Sequence, residues 1–230
     1  YLFFLNILFE LLIIIMIGND IHNFASQLWP LNRSLTGEGL RETLNQISKH
    51  LPNLSIKSVK SGTKVFDWIV PPEWHVSEAY IIDPNGKKIC DFTTNNLHLV
   101  GYSMSLNKKI SLKELQKHLY SLPENRDAIP YVTSYYKERW GFCLTHNDRT
   151  KLKDGMYKVY IDSTLEDGSL TYADAYLNAT EDTEKEFLIS TCICHPSMAN
   201  NELSGPIAST FIYQALSKLT ERKYNYRFLF

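Results

Sequence analysis

The stretch Phe187-Leu-Ile-Ser-Thr-Cys-Ile-Cys-His195-Pro196-Ser-Met-Ala-Asn-Asn-Glu-Leu-Ser204-Gly205-Pro206 decides how this chain is read. Its apolar opening predicts a buried strand over residues 187–194. The run stops at a histidine, a short polar turn follows, and a helix starts at Ser204-Gly205-Pro206. Ile207, Phe211, Ala215, Leu216 and Leu219 mark that helix as packed on a sheet. In an open α/β sheet, ligands bind beyond the carboxyl ends of the strands. His195 therefore stands where a metal ligand would be placed.

Upstream, residues 20–51 read as two helices. Phe24, Leu28 and Trp29 keep helical spacing before Pro30, and Leu40, Leu44 and Ile47 share one face of the second. Between them lies the polar link Leu31-Asn-Arg-Ser-Leu-Thr-Gly-Glu-Gly39. Residues 54–105 alternate like strands, and Asn85-Gly86 favours a tight hairpin. Ser111-Leu-Lys-Glu114 has capping-box spacing and opens a helix with Leu112, Leu115 and Leu119 in its stripe. Strand character returns at Ile129–Tyr136, Tyr157–Asp162 and Leu170–Asn178. Tyr224–Phe230 reads as one more strand beginning, which gives the expectation of a fragment.

The chain has 230 residues, is 44% hydrophobic and 21% charged, and has a net charge of −1. That is the composition of a globular protein, and no basic surplus points to nucleic acid. Aromatic residues reach 13%, with 14 tyrosines, enough for a real core and an aromatic-lined cleft. The cysteines are Cys90, Cys143, Cys192 and Cys194, whose spacing forms no disulfide framework. Reduced thiols and a cytoplasmic setting follow as expectations. Residues 1–17 are almost wholly apolar, yet short of the roughly 20 residues a membrane span needs, and Glu10 interrupts them. The preferred expectation is an apolar leader that is not native, with Met16 as a plausible start. A membrane anchor ranks last.

Several blocks carry a resemblance. Asn32-Arg33-Ser34-Leu35-Thr36-Gly37, Asn96-Leu97-His98, Thr133-Ser134-Tyr135-Tyr136, Trp140-Gly141-Phe142-Cys143 and Cys194-His195-Pro196-Ser197 occur in one order. In that order they resemble a bacterial aminopeptidase-like domain family, itself similar to the zinc aminopeptidases of peptidase clan MH. The resemblance implies a three-layer α/β/α peptidase-like domain, incomplete here, with a small β-rich domain inserted. Residues 18–63 and 149–230 would form the α/β domain, and residues 64–148 the insert. It further implies one or two zinc ions and hydrolysis of an amide or peptide bond, with the general base beyond Phe230. The fragment alone would then be inactive. Family likeness also suggests a peptide-like or glycan-linked small-molecule substrate.

The resemblance makes His195, Asn201 and Glu202 the candidate metal ligands. In clan MH an aspartate that bridges two metals stands where this chain has Asn201, and Glu202 follows it. A neutral amide brings no charge to such a bridge, so Glu202 substitutes, or one metal binds, or binding is weak. For a histidine alone, ending a strand and bonding a loop would be the ordinary reading. Cys192 and Cys194 would share one face of the strand and His195 the other, which makes the cysteines core residues. Tyr135, Tyr136 and Trp140 are candidate substrate-binding residues, since rings with polar tips suit sugar or peptide groups; a packing seam explains them equally well. His98 alternates with apolar residues and reads as surface. A second function stays open: a peptidase-like binding or scaffold protein, without catalysis, linked to surface-polysaccharide biosynthesis.

Overall fold

The computed structural model describes residues 17–134 and 137–230. The leader over 1–16, with Met16, and the pair Tyr135 and Tyr136 lie outside the described residues. In chain order, helix α1 occupies residues 17–28 and α2 Glu38–Ser48. Then come β1 (Ser55–Lys60), β2 (Lys64–Val65), β3 (Trp68–Ile69), β4 (Glu73–Ile82) and β5 (Lys88–Ile89). β6 (Leu106–Ser111), α3 (Leu112–Leu115), β7 (Leu119–Tyr120), β8 (Phe142–Cys143) and α4 (His146–Arg149) follow. The chain continues through β9 (Met156–Glu166), β10 (Ser169–Leu177), β11 (Glu186–Ser190), α5 (Ser204–Ser217) and β12 (Asn225–Leu229). Among the described residues no helix is long and apolar enough to cross a membrane.

The chain divides into two compact units. The first holds the flanks, residues up to Leu31, Leu40–Lys57 and Tyr172–Phe230. Its sheet has the order β1-β10-β12-β11, with β12 antiparallel to β10 and parallel to β11. Leu40, Leu44 and Ile47 turn one face of α2 into a core shared with Phe24 and Leu28 of α1, Ala173 and Ala175 of β10 and Phe228 of β12. The 3.6-residue repeat of α2 puts that apolar stripe on one side. Burying a side chain such as Phe228 stabilises the fold by about 1.5–3 kcal/mol. The residues predicted as a buried strand behave differently. β11 stops at Ser190, and Phe187 and Leu188 are 52% and 60% exposed. It is the edge of the described sheet, so one of its long sides has no described neighbour.

The second unit comprises Asn32–Gly39 and Ser58–Thr171. Its sheet order is β5-β4-β9-β6, antiparallel throughout. The boundary thus differs from the 64–148 expected from sequence. β9 pairs along its length with β4 and β6, and those ladders hold residues 156–166 in this unit. The Asn32–Gly39 link belongs here for a local reason. Thr36 Oγ1 lies 2.6 Å from the Tyr102 hydroxyl, and the Tyr102 ring stacks on Trp74 at 5.4 Å. Gly37 has φ +101°, and a Cβ there would stand 2.8 Å from the Trp74 carbonyl oxygen, so only glycine fits. Two readings need correction. Ser111 does cap α3, but that helix is one turn long and Leu119 belongs to a strand. Residues 97–102 form a 3-10 turn and loop rather than a strand.

Candidate functional site

The turn after β11 is held from both ends. Trp29 Nε1 donates to the Ser197 carbonyl at 3.0 Å, and Ser197 Oγ donates to the Trp29 carbonyl at 3.1 Å. This reciprocal pair fixes Ser197 in a left-handed conformation, φ 45°. Next, Ala199–Leu203 winds as one π-helical turn, with Leu203 N–H bonding back to the Met198 carbonyl, before α5 begins. Turns of this kind recur at functional sites because they re-aim side chains. Gly205 leaves room for Thr191 at the helix start, since a Cβ there would meet Thr191 Oγ1 and force that side chain to turn away. Pro206 sits in the first turn of α5, where its missing N–H costs nothing.

This local winding carries Glu202 inward. Its side chain is 1% exposed. Oε1 accepts the His195 backbone N–H at 2.8 Å, and Oε2 lies 3.3 Å from His195 Nδ1. Cys194 Sγ lies 3.0 Å from the same ring nitrogen. Sulfur, imidazole nitrogen and carboxylate oxygen from Cys194, His195 and Glu202 all fall within 4.8 Å of one another. Burial first, then the negative charge of Glu202, pushes the Cys194 thiol up to about 12.

Of the residues expected to bind metal, His195 and Glu202 come together. Asn201 is exposed on the same turn. Cys194 is the member that sequence reasoning missed. On a strand it would point away from His195, but β11 ends four residues earlier, and in a loop the two neighbours converge. Cys192 is exposed, not a core residue. A missing signal was the strand's length. Serine and threonine at positions 190 and 191 already break the apolar run.

Trp140 lies in the second unit. Its ring stacks on His118 at 3.8 Å and 11°, and it packs against that unit's core. That contact supports a packing role for Trp140, whereas Tyr135 and Tyr136 are outside the described residues. His98 is half-buried rather than on the surface. Its Nδ1 lies 2.8 Å from the Cys143 carbonyl oxygen.

Comparisons with known proteins bear on the fold and the family. A Clostridium acetobutylicum protein, provisionally named as a polysaccharide biosynthesis protein with aminopeptidase-like domain, is 52% identical over 213 residues. The match covers 93% of this chain and 48% of that protein, so the chain spans about half the length of this curated relative. A crystal structure from the same organism, provisionally described as a peptidase, superimposes with a TM-score of 0.88 at 52% identity. It is matched over 93% of this chain and 50% of its own. At the level of fold alone, a peptidase M28 precursor from Shewanella amazonensis gives a TM-score of 0.56 at 10% identity, covering 93% of this chain and 66% of that one. BSAP, a zinc aminopeptidase from Bacillus subtilis, gives 0.51 at 10%, covering 91% and 60%. The fold is therefore mixed α/β and aminopeptidase-like. The family described as "Domain of unknown function (DUF4910)" matches residues 22–230, and the chain belongs to that family.

Proposed function

We propose that this chain carries part of the metal site of a zinc-dependent, aminopeptidase-like hydrolase acting on an amide or peptide bond. One observation carries the reading: the buried Glu202 carboxylate set against His195. The donor types fit zinc, which takes thiolate sulfur, imidazole nitrogen and carboxylate oxygen. The three side chains lie within 4.8 Å of one another, so the ring of His195 is set by its neighbours. His195 would hold the ion through the ring nitrogen that faces away from Cys194 and Glu202. When bound, zinc supplies Lewis-acid polarisation of a carbonyl.

Glu202 has two possible tasks here, and the geometry favours one. It already grips His195 through both the backbone N–H and Nδ1. A carboxylate on the second ring nitrogen fixes the tautomer and raises ligand basicity. Coordination then falls to Nε2, and Glu202 acts as the positioning residue. The general base and further ligands would come from the remainder of the longer protein.

Asn201 favours a second reading, a peptidase-like binding or scaffold protein. It is neutral and exposed where a bridging carboxylate would be charged and inward. The relative's name suggests a link to polysaccharide biosynthesis under this reading. Zinc content of the full-length protein, wild type beside His195→Ala, separates the two. Bound zinc that is lost in the variant supports the hydrolase. No zinc in either protein, purified without chelator, removes that reading.

A further inference from the structure

The second unit contains a cavity of about 400 Å³ that the metal site does not use. That volume lies within the range of small-molecule sites, about 300–1,000 Å³. Its walls come from the β4–β5 hairpin, the loop after α4 and the start of β9. Leu144, Leu152 and Tyr157 give it an apolar and aromatic side. Cys90, also in the lining, has φ 50° although it is not glycine. Backbone strain of this kind collects at ligand sites, where the surrounding fold holds it.

Charge decides what would fit. Four lysines line the cavity, Lys87 and Lys88 from the hairpin and Lys151 and Lys153 from the loop. Only Asp83 and Asp148 oppose them, a surplus of two positive charges from four minus two. Asp83 is engaged in the turn, where Oδ1 accepts the N–H groups of Asn85 and Lys87 at 2.9 and 2.8 Å. Lys88 is held by Glu78 and Asp91, and Lys151 by Asp148. Among the described residues, Lys87 and Lys153 have no ion pair within 4 Å, although Lys87 contributes to the field at Asp148. His98 adds a directed group. A carbonyl only accepts, so Nδ1 must carry the proton toward Cys143, which fixes the ring at the cavity wall.

We propose that this cavity binds a small dianion with a short aromatic or apolar body, of the phosphate monoester type. Lys87 and Lys153 would take the phosphate, and Leu144, Leu152 and Tyr157 the body. The proposal is independent of the zinc reading.

Isothermal titration of the full-length protein with phenyl phosphate tests it, beside inorganic phosphate and phenol. Saturable binding of phenyl phosphate is expected, tighter than phosphate, with none for phenol. A Lys87→Met, Lys153→Met double variant should bind about 10- to 100-fold more weakly, as loss of two charge-assisted contacts predicts. Lys108→Met with Lys109→Met, two exposed lysines on β6, should leave affinity unchanged. Absence of saturable binding in the millimolar range overturns the proposal. So does an equal loss in both double variants, which would reduce the effect to general charge. Phosphate binding as tightly as phenyl phosphate would overturn the aromatic-body part.

Discussion

His195 and His98 each present Nδ1 to a neighbour contributed by or beside a cysteine, one in each unit. Around His195 the neighbours are the Cys194 thiol and the buried Glu202 carboxylate. Around His98 the neighbour is the backbone carbonyl of Cys143. A carbonyl fixes a tautomer and adds little charge. A carboxylate also stabilises positive charge on the ring or on an ion bound to it. Histidine beside cysteine is therefore a candidate metal site in one unit, while in the other the histidine lines a cavity. The thiols do not make that difference. Burial pushes Cys90, Cys143 and Cys194 each up to about 12.

The largest expected effect concerns those thiols. With a pKa of about 12, only about one in ten thousand would be thiolate at pH 8. Cys192 is exposed, and iodoacetamide should label it about 10- to 100-fold faster than Cys90, Cys143 or Cys194. Peptide mapping of briefly treated native protein reads this directly. Rapid labelling of Cys194 would mean that burial and the Glu202 charge do not hold its thiol up.

Next in size is the contrast between the two histidine partners. Glu202→Gln should lower unfolding free energy by about 1–3 kcal/mol, since it removes a charged acceptor from a buried site. His98→Ala removes one neutral bond and should cost about 0.5–1.5 kcal/mol for it, beside its packing loss. Urea unfolding of both variants gives the comparison. If Glu202→Gln is silent, the carboxylate is not what organises His195.

The smallest effect is a pH dependence at His50. Burial first, then nearby Lys49, lowers its pKa below the ordinary histidine value of 6.5. The unfolded chain then binds the proton more readily than the folded one. Stability from this group is complete above about pH 6.5 and is lost as pH falls through the lower folded value. Protonation would also oppose the Gln214 Nε2 contact to His50 Nδ1 at 3.1 Å. His50→Gln should therefore make the fall in urea midpoint between pH 7.5 and pH 5.5 slightly shallower. An unchanged slope would assign the acid sensitivity elsewhere.

Much of this was legible locally. The apolar stripe of α2, the Asn85-Gly86 hairpin, β10 and the start of α5 follow from periodicity and turn chemistry over a few residues. The family resemblance came from short blocks in order, and the site's place came from an apolar run ending at His195. Tertiary pairing defeated other readings. β9 joined the second unit because its partners, β4 and β6, lie far away in sequence. Residues 187–194 looked like a buried strand because sequence shows hydrophobicity but not which strands flank it.

The sequence by itself determined the aminopeptidase-like fold, the position of His195 and the departure at Asn201. Only the tertiary structure decided that Glu202 turns inward while Asn201 faces out, and that Cys194 joins His195 instead of opposing it. The reason is geometric. A π-helical turn and a strand that stops early change side-chain directions by large angles, yet they alter neither composition nor spacing.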